Sequence, residues 1–252
     1  VETNYYSDLE DELKDALGSN WARVSFQNVQ YATVLQEPQD RLWQDMTTAF
    51  SNDLDARRMR QFFLFGFGDA GSLEYSAYND KLKYLAVQKE IQSALRSAYI
   101  DVGQDKSKPV VIIAHSLGCQ VISNYLWDAG ENKYIFEGTN DTAPDELQFL
   151  KLKSLSNLIT TGCNIPLFIS GISERKCFSR PNDNFKWDNY YDPDDVLGWP
   201  LRQLGPSFEI VADHDVNVGS VFTSWNPLSH GGYWSDKDVL NPLAKQLMGL
   251  LS

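Results

Sequence analysis

Cysteine and histidine are scarce in this chain, with three of each in 252 residues. Each scarcity narrows the chemistry open to it. Cys119, Cys163 and Cys177 are too few and too scattered for a disulfide framework or a zinc site, and are expected as small buried hydrophobes. No apolar run approaches the length of a membrane span, so integral membrane association is not expected. The longest runs, near Phe62 to Phe67 and Val110 to Ala114, suit strands or short helix faces. Basic residues are outnumbered as well: 22 Lys and Arg against 34 Asp and Glu leave a net charge of −12. That balance argues against a surface that tracks phosphates, so nucleic acid is not an expected partner. No secretory leader is visible and cytoplasmic residence is the expectation, with Val1 in place of methionine pointing to trimming or processing.

What the chain does have is the stretch Pro109 to Cys119. Five apolar, mostly β-branched residues (Val110 to Ala114) run into His115-Ser116-Leu117-Gly118 and then into a helix-like segment, Gln120 to Trp127. This reads as strand, sharp turn and helix N-terminus with Ser116 at the apex, the nucleophile-elbow pattern G-x-S-x-G with Ala114 in the first glycine position. The turn pushes the serine hydroxyl into the open, and free N–H groups of the helix start can hold a negative oxygen.

At this length one large domain is the economical reading, and no repeat or low-complexity linker divides it. Tyr5 to Leu17 has helical periodicity closed by Gly18, and Arg23 to Tyr31 alternates like a strand. Residues from about Asp40 to Phe67 are mainly helical in character, with Gln61 to Phe65 a strand candidate, and Gly66 to Gly71 form a glycine-rich break. Asn79 to Tyr99 predicts an amphipathic helix with Leu82, Leu85, Ala86, Ile91, Ala94, Leu95 and Ala98 near one face. Further strands are expected at Leu155 to Thr161, Phe185 to Tyr191 and Ser207 to Ala212. A polar connection over Gly130 to Glu146 and a terminal helix over Val239 to Leu251 complete the pattern. Strands alternating with helices imply an α/β fold: a mostly parallel sheet with helices on both faces.

A nucleophilic serine needs a base, and the base needs an acid to fix its tautomer. Of the three histidines, His115 adjoins Ser116 and its ring should point away, lining the site or packing under it. His214 ends the last expected strand between two acids. His230 lies between that strand and the terminal helix, and is preferred as base with His214 second. For the acid, Asp192, Asp194 and Asp195 compete after the strand ending at Tyr191. Asp195 leads because an acid followed by two apolar residues is the commoner arrangement at such a turn, and Asp194 follows. The blander alternative is a solvated turn, since Asp-Pro-Asp is ordinary turn chemistry. A metal site at Asp213-His214-Asp215 is disfavoured because adjacent strand residues point to opposite faces.

Taken together these pieces resemble an α/β-hydrolase, and more narrowly the bacterial serine esterase/lipase-like hydrolases of mostly unassigned substrate. The resemblance rests on Gly68-Asp69-Ala70, Ala114 to Gly118, Ser123 to Asp128, Thr160 to Leu167, Tyr191 to Leu201 and Trp225 to Trp234. It implies Ser116 as nucleophile, His230 as base and Asp195 as acid, in the fold's chain order. It also implies one oxyanion donor at the backbone N–H of Leu117. The family's His-Gly-Ile-Gly loop, source of the second donor, has no counterpart in these residues; Gly66-Phe67-Gly68 is the nearest imitation. The spacing predicts either that the strand and loop carrying that donor precede Val1, so that the fold is truncated before its first helix, or that another loop supplies it. A small cap over 166–186 is expected. Trp127, Phe168, Trp199, Tyr233 and Trp234 are expected to line an acyl pocket or to be core. The activity implied is cleavage of a small-molecule carboxylic ester through an acyl-enzyme, with neither metal nor organic cofactor. Hydrolysis of another acyl bond (amide, thioester, phospholipid) and a catalytically silent binding module are the alternatives.

Overall fold

The computed structural model describes residues 6–48, 81–218 and 229–252. The strand candidate at Gln61 to Phe65, the break from Gly66 to Gly71 and the piece Gly68-Asp69-Ala70 lie outside these residues.

Among the described residues four strands form one parallel sheet in chain order: β1 (Val110–His115), β2 (Leu155–Thr161), β3 (Lys186–Tyr191) and β4 (Val211–Asp215). The protein is therefore an α/β fold. Seven α-helices accompany the sheet among the described residues. They are α1 (Ser7–Leu17), α2 (Ala32–Thr48), α3 (Lys81–Asp101), α4 (Leu117–Glu131), α5 (Pro144–Leu150), α6 (Ile165–Ile169) and α7 (Lys237–Leu251).

The period-2 alternation of strands sorts neighbouring residues into two cores. Leu158 joins Val87, Ile91 and Leu95 of α3, Ile122 and Tyr125 of α4, and Phe149 of α5 on one face. Ile159, the next residue, joins Leu9 and Leu13 of α1 and Leu240 and Leu243 of α7 on the other. Helices thus cover both faces. Each fully buried Leu or Ile side chain contributes about 1.5–3 kcal/mol.

Four expectations need correction. The alternating segment Arg23 to Tyr31 is no strand: Gly18–Arg23 is a 3₁₀ turn and residues 24–31 carry no regular structure. Its alternation is met by tertiary contacts instead. The Phe26 ring packs against Tyr6 and Trp21, while Ser25 Oγ and Gln27 Nε2 donate to the Asp101 carboxylate of α3 at 2.8 and 2.9 Å. The last strand begins at Val211 rather than Ser207, because Pro206–Ile210 winds into a 3₁₀ turn that buries Phe208 against Trp187. Leu82 is 66% exposed, so the buried stripe of α3 starts at Val87. α2 also begins earlier than the reading from Asp40, at Ala32.

The 166–186 segment divides. α6 follows β2 directly, whereas Arg175 and Cys177 already lie against Gly205 and Ser207, before β4. From Cys177 the chain crosses the α3/α4 face, with Phe178 stacked on Trp187 at 5.1 Å and Phe185 buried. Asn182 Nδ2 then donates to the carbonyls of Lys153 and Leu155 at the start of β2. Residues 177–186 thus anchor to the core through Phe178 and Phe185 on the way to β3.

One buried acid couples α3 to α4. Tyr84 Oη donates to Asp128 Oδ2 at 2.5 Å, and burial pushes the Asp128 carboxyl up to about 6. The folded chain therefore holds this proton more tightly than the unfolded one. The associated stability is full at acid pH and is lost as pH rises through about 6. Asp128→Asn is expected to raise stability by about 2 kcal/mol at pH 8, shrinking to about 0.5 kcal/mol or less at pH 4. Urea midpoints at the two pH values check this.

Candidate functional site

Because all four strands are parallel, the turns leaving them gather at one edge of the sheet. Ser116 stands there, between β1 and α4. Its backbone has φ 52° and ψ −123°, a conformation that side-chain-bearing residues rarely adopt and that costs on the order of 1–3 kcal/mol. Two hydrogen bonds hold it: its N–H donates to Thr161 O at 3.0 Å, and its carbonyl accepts from Cys119 N at 2.9 Å. As the first residues of α4, Leu117 and Gly118 have N–H groups with no acceptor inside the helix. Tyr31 Oη, at the end of the extended segment, would lie 3.5 Å from a Cβ added to Gly118.

His115, Thr161, Tyr190 and His214 form one row across the ends of the strands. His115 Nδ1 lies 3.1 Å from both Thr161 O and Thr161 Oγ1, and its ring packs beside Tyr233 and Trp234. His214 stacks on Tyr190 at 4.8 Å and places Nε2 2.7 Å from Asp188 Oδ1, with Gln246 Nε2 donating to the other oxygen. Asp213, its neighbour, faces the opposite way. No group of three or more potential metal ligands gathers among the described residues.

The three competing acids separate clearly. Asp194 is exposed, whereas Asp192 and Asp195 are buried. Asp192 is consumed by the backbone: Oδ1 accepts from Asp194 N at 2.8 Å and Oδ2 from Val218 N at 2.7 Å. That ties the loop after β3 to the residues after β4. Asp195 Oδ1 accepts from Leu197 N at 3.0 Å, and Oδ2 from the Tyr233 hydroxyl at 2.9 Å.

Of His230 the backbone is described, in the 3₁₀ turn Ser229–Ser235. The same turn carries Tyr233, three residues further on. The structure thus brings Ser116, Leu117 and Asp195 to one edge, with the His230 backbone in the turn that touches Asp195. Trp225 and the residues to Leu228, like Gly66-Phe67-Gly68, are outside the described residues. Of the aromatic candidates, Tyr233 is fully buried core, Trp127 sits 36% exposed on α4, and Trp199 is 43% exposed on the acid loop.

A buried polar chain anchors that loop from below. Trp187 Nε1 donates to Thr160 Oγ1, which donates to Asn189 Oδ1. Asn189 Nδ2 donates to Trp199 O and to Asp213 Oδ1, and the Asp213 carboxylate accepts from the N–H groups of Leu201 and Arg202. Trp199 N donates to Cys163 O, joining the β2 and β3 exits. Gly198 is equally constrained: a Cβ there would lie 2.7 Å from Asp195 Oδ2 and 2.9 Å from Tyr233 Oη. Sequence reasoning missed Asn189, Asp213, Gly198 and the polar role of Tyr233. The partners of Asn189, Asp213 and Tyr233 lie 10 to 41 residues away along the chain, where no local pattern records them.

No described helix is long and apolar enough to cross a membrane. Compared with family models, curated proteins and solved structures, the chain returns no significant match.

Proposed function

We propose that this chain is a serine hydrolase of the α/β-hydrolase type that cleaves carboxylic esters through an acyl-enzyme. The observation that carries the reading is the backbone of Ser116: a non-glycine residue held at positive φ on a strand-to-helix turn, at the carboxyl edge of a parallel sheet. Strain of this kind persists only where the surroundings over-determine it, and it concentrates at functional sites. The burial of Asp195 and the exposure of Asp194 favour Asp195 as acid. The pairing of His214 with Asp188 favours His230 as base.

In this reading His230 takes the Ser116 proton as Oγ attacks the ester carbonyl, and Asp195 stabilises the imidazolium. The Leu117 N–H donates to the oxyanion. Collapse expels the alcohol, which leaves with the proton from His230. Water, deprotonated by His230, then attacks the acyl-serine, and the proton returns to Ser116 as the acid departs. The balance is ester plus water to acid plus alcohol. Leu167 of α6 and Ile172 after it, following β2, and Val196 and Trp199, following β3, expose apolar side chains, which favours an apolar acyl group.

The test is labelling by a fluorophosphonate together with turnover of p-nitrophenyl esters. His230→Ala is expected to lose at least about 10⁴-fold in kcat, and His214→Ala to stay within about threefold of the parent, in line with its structural pairing. The reverse order of effects would move the base to His214. Absence of both labelling and turnover would favour a silent binding module.

A further inference from the structure

Tyr233 is the point where the acid-bearing loop and the base-bearing turn meet. Its side chain is fully buried, and its hydroxyl makes two hydrogen bonds in opposite senses. It donates to Asp195 Oδ2 at 2.9 Å and accepts from Asp192 N at 2.9 Å. The backbone N–H thereby orients the hydroxyl, leaving its proton directed at the carboxylate. Asp195 cannot swing to take another pose at low cost, because Oδ1 is held by Leu197 N and the Asp195 backbone is fixed at both ends. Its N–H donates to Asp192 O, and its carbonyl accepts from Gly198 N. The bare α-carbon of Gly198 is what lets the hydroxyl and the carboxylate approach. On the other side, Tyr233 belongs to the turn Ser229–Ser235, which also carries His230.

We propose that Tyr233 is a positioning residue: its hydroxyl fixes the carboxylate of Asp195 relative to the turn that presents His230. The inference rests on the serine-hydrolase reading, and assigns Tyr233 no contact with substrate. A phenol suits this task because it is neutral, rigid and long enough to span two elements, so it orients the carboxylate without neutralising it. Burial, with the Asp195 charge adding to it, raises the pKa of the phenol, so it remains a donor.

The test is a double-mutant cycle of Tyr233→Phe and Asp195→Asn, with Ser116→Ala alongside. Rates on a p-nitrophenyl ester are taken per fluorophosphonate-titrated serine, so that an unfolded fraction does not enter. Tyr233→Phe is expected to lower kcat on the order of 10–100-fold, the scale of a misplaced catalytic group, with KM within about twofold. In the Asp195→Asn background the same change is expected to cost less than about twofold. A purely structural tyrosine would slow both backgrounds alike, and that result overturns the proposal. An unchanged kcat in Tyr233→Phe overturns it too. So does a Tyr233→Phe protein with no titratable serine while Asp195→Asn retains one, since Tyr233 would then act apart from Asp195. If Ser116→Ala turns over ester like the parent, the hydrolase reading itself fails, and this inference fails with it.

Discussion

Replacing Ser116 with alanine is expected to lower kcat for ester hydrolysis by about 10⁴–10⁶-fold and to leave the fold intact. The two halves of that expectation come from different atoms. In the proposed mechanism Oγ is the nucleophile, and its loss removes the covalent route. The backbone contacts at this turn are made by the Ser116 N–H and carbonyl, which alanine keeps. Alanine also keeps a Cβ, so the strain at φ 52° stays in place and stability should change little. Ser116→Gly supplies the contrast. It is equally dead as a hydrolase, but glycine tolerates positive φ, so part of the ~1–3 kcal/mol of strain is relieved. After the greater flexibility of glycine in the unfolded chain is counted, a net gain of about 1 kcal/mol is expected. Thermal melts of the three proteins read this directly. Ester turnover by Ser116→Ala at the parental rate would remove the serine from the chemistry.

Gly198→Ala is the second large expected effect, and it comes from a residue with no reactive group. Nothing in the backbone forbids alanine here, since Gly198 is not among the positive-φ residues. The obstacle is occupied space. The new methyl would meet Asp195 Oδ2 at 2.7 Å, Tyr233 Oη at 2.9 Å and Asp195 Cγ at 3.2 Å. None of these is the far end of a flexible chain, because both side chains are buried and bonded to backbone groups. The crowding must therefore part Asp195 from Tyr233 or lift the loop. Activity is expected to fall by about 100-fold or more, as for a catalytic group displaced by about 1 Å, with a stability loss of about 1–3 kcal/mol from overpacking. Gly130→Ala is the matched control, since a Cβ there meets nothing within 4 Å and the residue lies in α4. It should leave turnover unchanged. A Gly198→Ala protein with full activity would show that the Asp195 pose does not matter to turnover.

The parts of this molecule that can be read from its sequence are those decided by neighbours in the chain. β1 announces itself as an apolar run because a parallel sheet covered on both faces favours apolar residues at successive positions. Ser116 is legible because strand, turn and helix start are contiguous. Asp195, the proposed acid, is only half legible: sequence narrows the candidates to one turn, but the choice over Asp194 depends on which carboxylate the folded loop buries. Residues 23–31 mislead because alternation reports two-sided contacts, here the Phe26 rings on one side and Asp101 on the other, not a ladder. Tyr233 and Gly198 are illegible for a further reason. Their importance lies in a contact between them and Asp195 that exists only once the elements after β3 and β4 have docked.

The consecutive strand order bears on how the molecule is made. A sheet laid down as β1, β2, β3, β4 lets each strand add to the one just formed. Each addition closes a loop no longer than one crossover, which keeps the entropic cost of pairing low. The strained turn is secured early in such a sequence, because the Ser116 N–H finds Thr161 O as soon as β2 pairs with β1. Asp195 follows with β3 and the Tyr233 turn last of all. Growth in this order would place the tense element under the restraint of finished structure while the loops after β3 and β4 are still unfolded.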